Sequence, residues 1–362
     1  MTTLEKTRPA RPREENSPSR VGWVVVALAM GGFGIGTTEF VAMGLLPDIA
    51  SSLQISEPTA GHLISAYALG VVVGAPVIAA LAARVPRRTL LIALMVAFTA
   101  GNALSVIAPN YLTLMGARFI AGLPHGAYFG VASLAAAHLA APGRRARAVG
   151  QVMMGLSVAN VVGVPAATWI GQAFGWRTAL GIVVVLGALT VVTLIKVVPD
   201  LSGMTTVDPI TELSALRRSQ VLLTLLVGLV GFGGMFAFYT YLNTALTSVA
   251  GLAEGLVPVA LMLFGVGMVV GNHFGGVLAD RNVDLGIAVG MGSVAVALGA
   301  FGLLLGIVWI AVPLAFLVGM TGATAIPALQ TRLMDVAHDA QTVAASLNHS
   351  ALNVANAIGA WL

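Results

Sequence analysis

Three residues stand out because their side chains can carry or hold a proton in surroundings that are otherwise apolar. Glu39 sits within "GFGIGTTEFVAMGLLPDIA", residues 32–50, and Arg118 and His125 sit within "RFIAGLPHGAYFG", residues 118–130. Burial and a neighbouring guanidinium act on a carboxyl group's proton affinity in opposite senses, so a balanced Glu–Arg pair could load and release a proton on a small change in hydration. The same pair could equally be a structural buried ion pair that fixes helix packing. His125 follows Arg118 by seven residues, two helical turns along the same face. It could relay a proton or bond a substrate hydroxyl, or be a neutral histidine satisfied by a neighbouring helix.

What positions these residues follows from composition. Of 362 residues, 58% are hydrophobic and only 9% charged, against roughly 25% charged in an average soluble domain. Forty-three glycines fit membrane helices, where Gly is more frequent than in soluble ones. The chain reads as an all-α polytopic membrane protein whose partner is the lipid bilayer. It has no cysteine, which excludes disulfides, thiolate metal sites and cysteine nucleophiles. The formal charge of +4 does not point to nucleic acid, because the basic residues occupy short segments between apolar runs.

Apolar runs of about 20 residues, the length of a membrane helix, lie near 22–46, 58–82, 89–108, 111–140, 148–171 and 177–198, then near 219–247, 254–278, 285–306, 308–331 and 342–362. Residues 1–20 are polar and Pro-rich and read as a disordered tail. With that tail inside, one side of the membrane holds Lys6, Arg8, Arg11, Arg13, Arg20, Arg84, Arg87, Arg88, Arg144, Arg145, Arg147, Lys196, Arg217, Arg218, Arg281 and Arg332. Arg177 alone falls outside, and Arg118 lies within a span. The excess of Lys and Arg on one side places the N-terminus in the cytoplasm, for a multi-pass protein of the inner or plasma membrane. Glu39 and Arg118 are then each seven residues from the outer end of their spans, a matching depth of roughly 10 Å at 1.5 Å per residue.

The sequence also repeats. "GVVVG" at 70–74 returns as "GMVVG" at 267–271, "ALAAR" at 80–84 as "VLADR" at 277–281, and Gly122 as Gly319, all 197 residues on. "VANVVG" at 158–163 returns as "VANAIG" at 354–359. Parallel internal repeats of this kind belong to transporter-like folds. Two six-helix bundles are expected, the first at 21–198 and the second at 219–362, joined by a linker at 199–218. The counterparts of residues 167–198 are missing, so the second bundle is expected to be incomplete, cut within its eleventh helix, and the chain as written unstable or inactive.

Two parallel six-helix repeats, with Gly276, Leu278, Ala279, Asp280 and Arg281 after the second helix of one half, resemble the major facilitator superfamily. In the first half the motif is degraded: Ala79, Ala83 and Pro86 stand where Gly, Asp and Gly are expected, and Arg84, Arg87 and Arg88 survive. The resemblance implies that Arg84, Arg87, Arg88, Asp280 and Arg281 form a conformational latch, weakened by Ala83; topology alone is the other reading of the arginines. "GIGTTEFVAMGLLPDIA", "RFIAGLPHGAYFG" and "GVPAATWIGQAFGWR" look like the drug:proton antiporter subfamily, in its arabinose-efflux-permease-like branch. The fifth span is similar to the antiporter motif, with Gly155, Gly163, Pro165 and Gly171, although Gly163 and Pro165 are not adjacent. A proline kinks a helix, and glycines allow close approach; Gly122, Gly126 and Gly130 form such a packing face on the fourth span. In the family the first and fourth spans are neighbours lining the central cavity, which implies proton coupling through Glu39 and Arg118, with His125 beside them.

An aromatic cavity wall is expected from Phe236, Tyr239 and Asn243 on one face of the seventh span, with Phe33 and Thr38 on the first. Packing or lipid contact is the other reading of these residues. Asn160, Asn353 and Asn356 could bond across the bundle, worth about 0.6 kcal/mol per contact, or touch substrate. There is no G-x-x-x-x-G-K-[ST] and no H-E-x-x-H; Ser133 and His138 make a serine dyad with no support from the repeat. The expected protein is a monomeric secondary transporter without cofactor or metal, not an enzyme. It exports small organic molecules (drug, sugar or nucleoside-like) in exchange for protons by rocker-switch alternating access. The alternatives are an importer, proton-coupled or facilitative, or a non-translocating sensor.

Overall fold

The computed structural model describes residues 18–201, 204, 208–253 and 256–361. Most of the expected N-terminal tail and part of the expected linker lie outside that set, as does the side chain of Asn243. The first span is α1 (Pro18–Gly44), followed by the short α2 (Leu46–Leu53). The next three spans are α3 (Glu57–Leu81), α4 (Arg87–Ile107) and α5 (Tyr111–Leu139). The fifth is broken into α6 (Arg145–Val158), a π-turn at Ala159–Gly163 and α7 (Val164–Phe174), and the sixth is α8 (Trp176–Val197). After a short α9 (Pro209–Leu213) come α10 (Ser219–Thr244), α11 (Val257–Arg281), α12 (Val283–Leu304), α13 (Val308–Val336) and α14 (Gln341–Trp361).

Ten of these segments are long and apolar enough to cross a membrane, and their ends fall within a few residues of the expected spans. The eleventh expected span, α14, is helical but less apolar. The reason is its position: Thr342, Ser346, Asn348, His349, Ser350 and Asn353 are buried against other helices, where polar groups can be satisfied. The opposite pattern marks the lipid face, where Leu81, Ile107, Leu303 and Trp309 are among the many large apolar side chains left exposed.

Local signals set the helix starts. Asn110 and Thr113 form a reciprocal capping box at the head of α5, and Asn282 caps α12 through the amide of Leu285. The break in the fifth span follows from Pro165. Its missing N–H and its ring disrupt the turn below it, and the chain answers with the π-turn.

The internal repeat is visible in packing as well as in sequence. A Cβ on Gly70 would collide with the carbonyl of Phe119, and one on Gly267 with the carbonyl of Phe316. Gly74 meets Leu123 as Gly271 meets Met320, and Gly122 meets Tyr67 as Gly319 meets Phe264. Each pair of contacts is displaced by the same 197 residues. The α3–α5 crossing and the α11–α13 crossing are therefore the same close-packed joint built twice.

The two halves meet where α14 packs on α3 and α5, and where α11 and α13 pack on α6. One end of the bundle, the basic end, carries Arg84, Arg87, Arg88, Arg144, Arg145, Arg147, Arg281 and Arg332. There Arg145 pairs with Asp335 at 3.4 Å, and Asp280 accepts hydrogen bonds from the amides of Ala146 (2.8 Å) and Arg147 (3.3 Å).

Candidate functional site

Between the halves lies a cavity, about 770 Å³ when the space at its open mouth is included. Its wall is mostly apolar: Phe232, Phe236, Tyr239, Phe264 and Met268 from the second half face Phe40, Met153 and Leu156 from the first. The polar points on it are Glu39, His125, His349, Ser157 and four asparagines at 160, 272, 353 and 356.

Glu39 reaches the cavity because α1 turns about 100° per residue. Thr38 faces the other way, into α4 and α5, and is fully buried. There a directed chain of hydrogen bonds forms. Arg118 donates from Nη1 to the Thr38 hydroxyl (3.0 Å) and from Nη2 to the Thr38 carbonyl (3.1 Å). The Thr38 hydroxyl donates to Asn102 Oδ1 (2.6 Å), and Asn102 donates to the carbonyl of Phe98 (2.9 Å). The guanidinium also stacks over the ring of Tyr67 at 4.5 Å.

The expected direct tie between Arg118 and Glu39 is thus replaced. The partner of Arg118 is the residue before Glu39, and the Glu39 carboxylate is not among its hydrogen-bond partners. The two charges remain close enough to interact. A one-residue step along a helix separates a side chain facing the bundle from one facing the cavity, and depth along the span does not resolve that step.

His125 continues the network toward the other half. Its Nδ1 is hydrogen-bonded to the Tyr67 hydroxyl at 3.2 Å, and its ring lies 5.3 Å from that of His349 on α14. His349 stacks on Phe129 at 4.3 Å. The Nε2 atoms of both histidines are buried without a partner, so each offers one free hydrogen-bonding position. Tyr67, Asn102 and His349 carry no motif. The only signal for them in the sequence is a polar residue inside an apolar span.

Of the expected cavity-lining residues, Phe236 and Tyr239 line it. Phe33 does not. Its ring fills the space that Gly163 leaves beside the π-turn, and Phe40, two turns further along α1, takes the cavity position against Tyr239 with rings 6.1 Å apart. Thr38 holds Arg118 instead of facing the cavity. Asn243 has a side chain outside the described residues. Asn160 and Asn353 bond back to carbonyls of their own helices, those of Leu156 and His349, and do not bond across the bundle. Among the cavity asparagines it is Asn272 that bonds between halves, donating to Ser157 at 2.8 Å. Ser133 is turned to Gln330, and His138 is exposed at the basic end, so the two form no dyad.

In the fifth span Gly155 approaches the backbone of Ala29 and Gly163 the side chains of Thr37 and Phe33, while Gly171 packs on Leu45. These glycines and Pro165 shape the α1–α6–α7 joint. The basic residues expected to act as a latch contact several different partners. Arg84 bonds Asp208, Arg87 lies 3.5 Å from Glu212, and Arg88 donates to the carbonyls of Val198 and Ile195. Asp280 caps α6, with Arg147 at 3.6 Å, and Arg281 lies exposed beside it.

Comparison with known proteins accords with this architecture. The family description of the Major Facilitator Superfamily matches residues 28–360. The "Inner membrane transport protein YdhP" of Escherichia coli O157:H7 is 42% identical over 352 residues, covering 94% of this chain and 88% of that one. The "Chloramphenicol resistance protein" of Streptomyces lividans is 35% identical over 343 residues, covering 92% and 86%. Among solved structures, the proton:xylose symporter XylE bound to 6-bromo-6-deoxy-D-glucose superposes with a TM-score of 0.75 at 14% identity, over 95% of this chain and 88% of that one. At that identity the likeness is one of fold alone.

Proposed function

The chain belongs to the Major Facilitator Superfamily and is a membrane transporter, not an enzyme; we propose that it exports small, flat or amphiphilic organic molecules in exchange for protons by rocking its two halves about the cavity between them. The observation that carries this reading is the composition of that cavity. A single carboxylate, Glu39, faces an aromatic and methionine-lined wall contributed by the opposite half. Such a wall suits apolar ring systems, and one carboxylate gives their passage a dependence on a proton.

In this reading Glu39 is protonated from the side opposite the basic end while the cavity is open there. The proton leaves toward the basic end, which the excess of Lys and Arg assigns to the cytoplasm, after the halves have rocked. Substrate and proton compete for one cavity, which makes the exchange an antiport. Arg118, held by Thr38 and Tyr67, supplies the fixed positive charge against which Glu39 is ionised. His125 and His349 stand at the joint that must open. The name of the Streptomyces lividans relative favours an aromatic drug-like cargo, and chloramphenicol is the first probe to use.

The test is proton release from detergent-solubilised protein on adding chloramphenicol, with wild type compared against Glu39→Gln. Release from wild type alone is the expected result. Release from both moves the proton site away from Glu39, with His125 next in line. Silence from both, when chloramphenicol is shown separately to bind, overturns coupling. Counterflow in proteoliposomes then separates translocation from mere binding.

A further inference from the structure

Asp280 does at the basic end what one residue in each half would be expected to do. It lies at the end of α11 with its side chain nearly buried, and its carboxylate takes the free amides of the first turn of α6, that of Ala146 at 2.8 Å. Those amides have no partner within their own helix, and a helix N-terminus attracts negative charge. Moving 197 residues back along the repeat, Asp280 becomes position 83; moving 197 residues forward, Ala146 becomes Val343, in the first turn of α14. Position 83 is alanine, buried and without an acceptor.

The amide of Val343 is nevertheless bonded. It donates to Glu212 Oε2 at 2.9 Å, and Glu212 Oε1 lies 3.5 Å from Nη2 of Arg87. Both Glu212 and Arg87 are almost completely buried, at 1% and 3% exposure. Glu212 belongs to α9, in the segment that joins the two halves. The end of α8 that leads into that segment is held by Arg88, through the carbonyls of Ile195 and Val198, and the segment itself by Arg84 through Asp208. Arg87 of the first half thus faces a carboxylate that its own half lacks at position 83.

We propose that Glu212 replaces the acid missing at position 83, so that the linker, not the first half, supplies the latch that closes the basic end against α14. The inference rests on the proposal that the halves rock. Two latches then hold the closed basic end: Asp280 on α6, built into the second half, and Glu212 on α14, carried on a separate piece of chain. The second is the one that can be removed without disturbing either bundle, because withdrawal of α9 breaks it.

The chain has no cysteine, so a pair of spin labels can be placed at Ala141→Cys and Asp339→Cys, exposed loop positions on opposite halves at the basic end. Their distance distribution is measured on the full chain in lipid nanodiscs. Glu212→Gln, which keeps an acceptor for the Val343 amide but removes the charge, is expected to move the short-to-long ratio by about tenfold toward long, the difference between a hydrogen bond to a charged group and a neutral one. Adding Ala83→Asp is expected to bring it back, a rescue that a merely structural Glu212 would not permit. A double variant that stays open overturns the assignment of Glu212 to the role vacated at 83. If Glu212→Gln does not fold, Val343→Pro decides: at a first-turn position where proline is tolerated it deletes the donor together with the buried Val343 side chain, and it must shift the ratio the same way while Val343→Ala, which keeps the donor, must not. A shift with Asp280→Asn but none with Glu212→Gln leaves the rocking intact and refutes the linker latch. If neither variant nor added chloramphenicol produces a second distance, the rocking itself is refuted, and the latch with it.

Discussion

The two halves of this protein share a skeleton and differ in chemistry. With the 197-residue displacement, Gly31, Gly34 and Gly36 of α1 fall on Gly228, Gly231 and Gly233 of α10, and the glycine contacts of α3–α5 fall on those of α11–α13. The side chains facing inward do not follow. Glu39 corresponds to Phe236, Tyr67 to Phe264, Arg118 to Ala315 and His125 to Gly322. At these positions the first half carries a buried polar network, and where Glu39 and Tyr67 stand the second presents the aromatic rings of Phe236 and Phe264. What the repeat preserves is where backbones touch, because a Cβ has no room there. What it leaves free is the set of side chains that look into the cavity. In the proposed cycle the first half handles the proton and the second receives the cargo.

The largest expected effect tests the polar half. Arg118→Lys keeps the charge but cannot reach both the hydroxyl and the carbonyl of Thr38 while stacking on Tyr67. Losing about two charge-assisted hydrogen bonds at 1.5–3 kcal/mol each is expected to reduce proton-linked exchange by about a hundredfold or more, read as substrate-driven proton flux in proteoliposomes. Phe236→Leu on the other side should leave coupling intact and raise KM. Loss of coupling in Phe236→Leu would break the division between the halves.

The shared skeleton makes a second, smaller prediction. Gly122→Ala and Gly319→Ala each drive a methyl group into a carbonyl of the neighbouring helix, at Tyr67 and Phe264. Overpacking of this kind costs about 1–3 kcal/mol, and the two costs should be alike despite the different chemistry around them. Unequal shifts in thermal unfolding would show that the joints are not equivalent. Tyr67→Phe should be milder still. It removes one neutral hydrogen bond, worth about 0.5–1.5 kcal/mol, and leaves Nδ1 of His125 without its partner. Phe264→Tyr, at the equivalent place, has no histidine to meet.

How legible all this was in the sequence depends on the reach of each signal. Span positions, the internal repeat and the glycine face Gly122–Gly126–Gly130 came from patterns within about 20 residues or from a constant displacement, and the helices follow them. Glu39 and His125 announced themselves as ionisable groups in apolar runs, and both line the cavity. Their partners did not. Thr38, Asn102 and Arg118 meet across three helices, and His349 reaches His125 from 224 residues away. Phe33 and Phe40 lie on nearly one face of α1, and only the approach of Gly163 at one depth decides which of them packs and which lines the cavity. Glu212 was the least legible. Its role appears only when the empty position 83 and the occupied amide of Val343 are seen together.

The smallest effect sharpens a comparison inside the linker. Glu212 and Asp208 are four residues apart and each meets an arginine of the α3–α4 region, but Glu212 is buried while Asp208 is exposed. The hydrogen bond from Arg84, helped by the amide of Ile210, holds the Asp208 carboxyl below the usual carboxylate range. A carboxyl with a depressed affinity for protons contributes stability that is present above its unfolded-state value and is lost as pH falls through the folded one. The contribution of this pair is therefore in place at neutral pH and disappears only below about pH 4. An exposed pair is screened by salt, so Asp208→Asn is expected to leave the spin-label ratio at the basic end unchanged at pH 7 in moderate salt, where Glu212→Gln shifts it. If Asp208→Asn opened the basic end as far as Glu212→Gln does, the anchoring of the linker at its surface, and not the buried carboxylate on the α14 amide, would be what keeps the halves together.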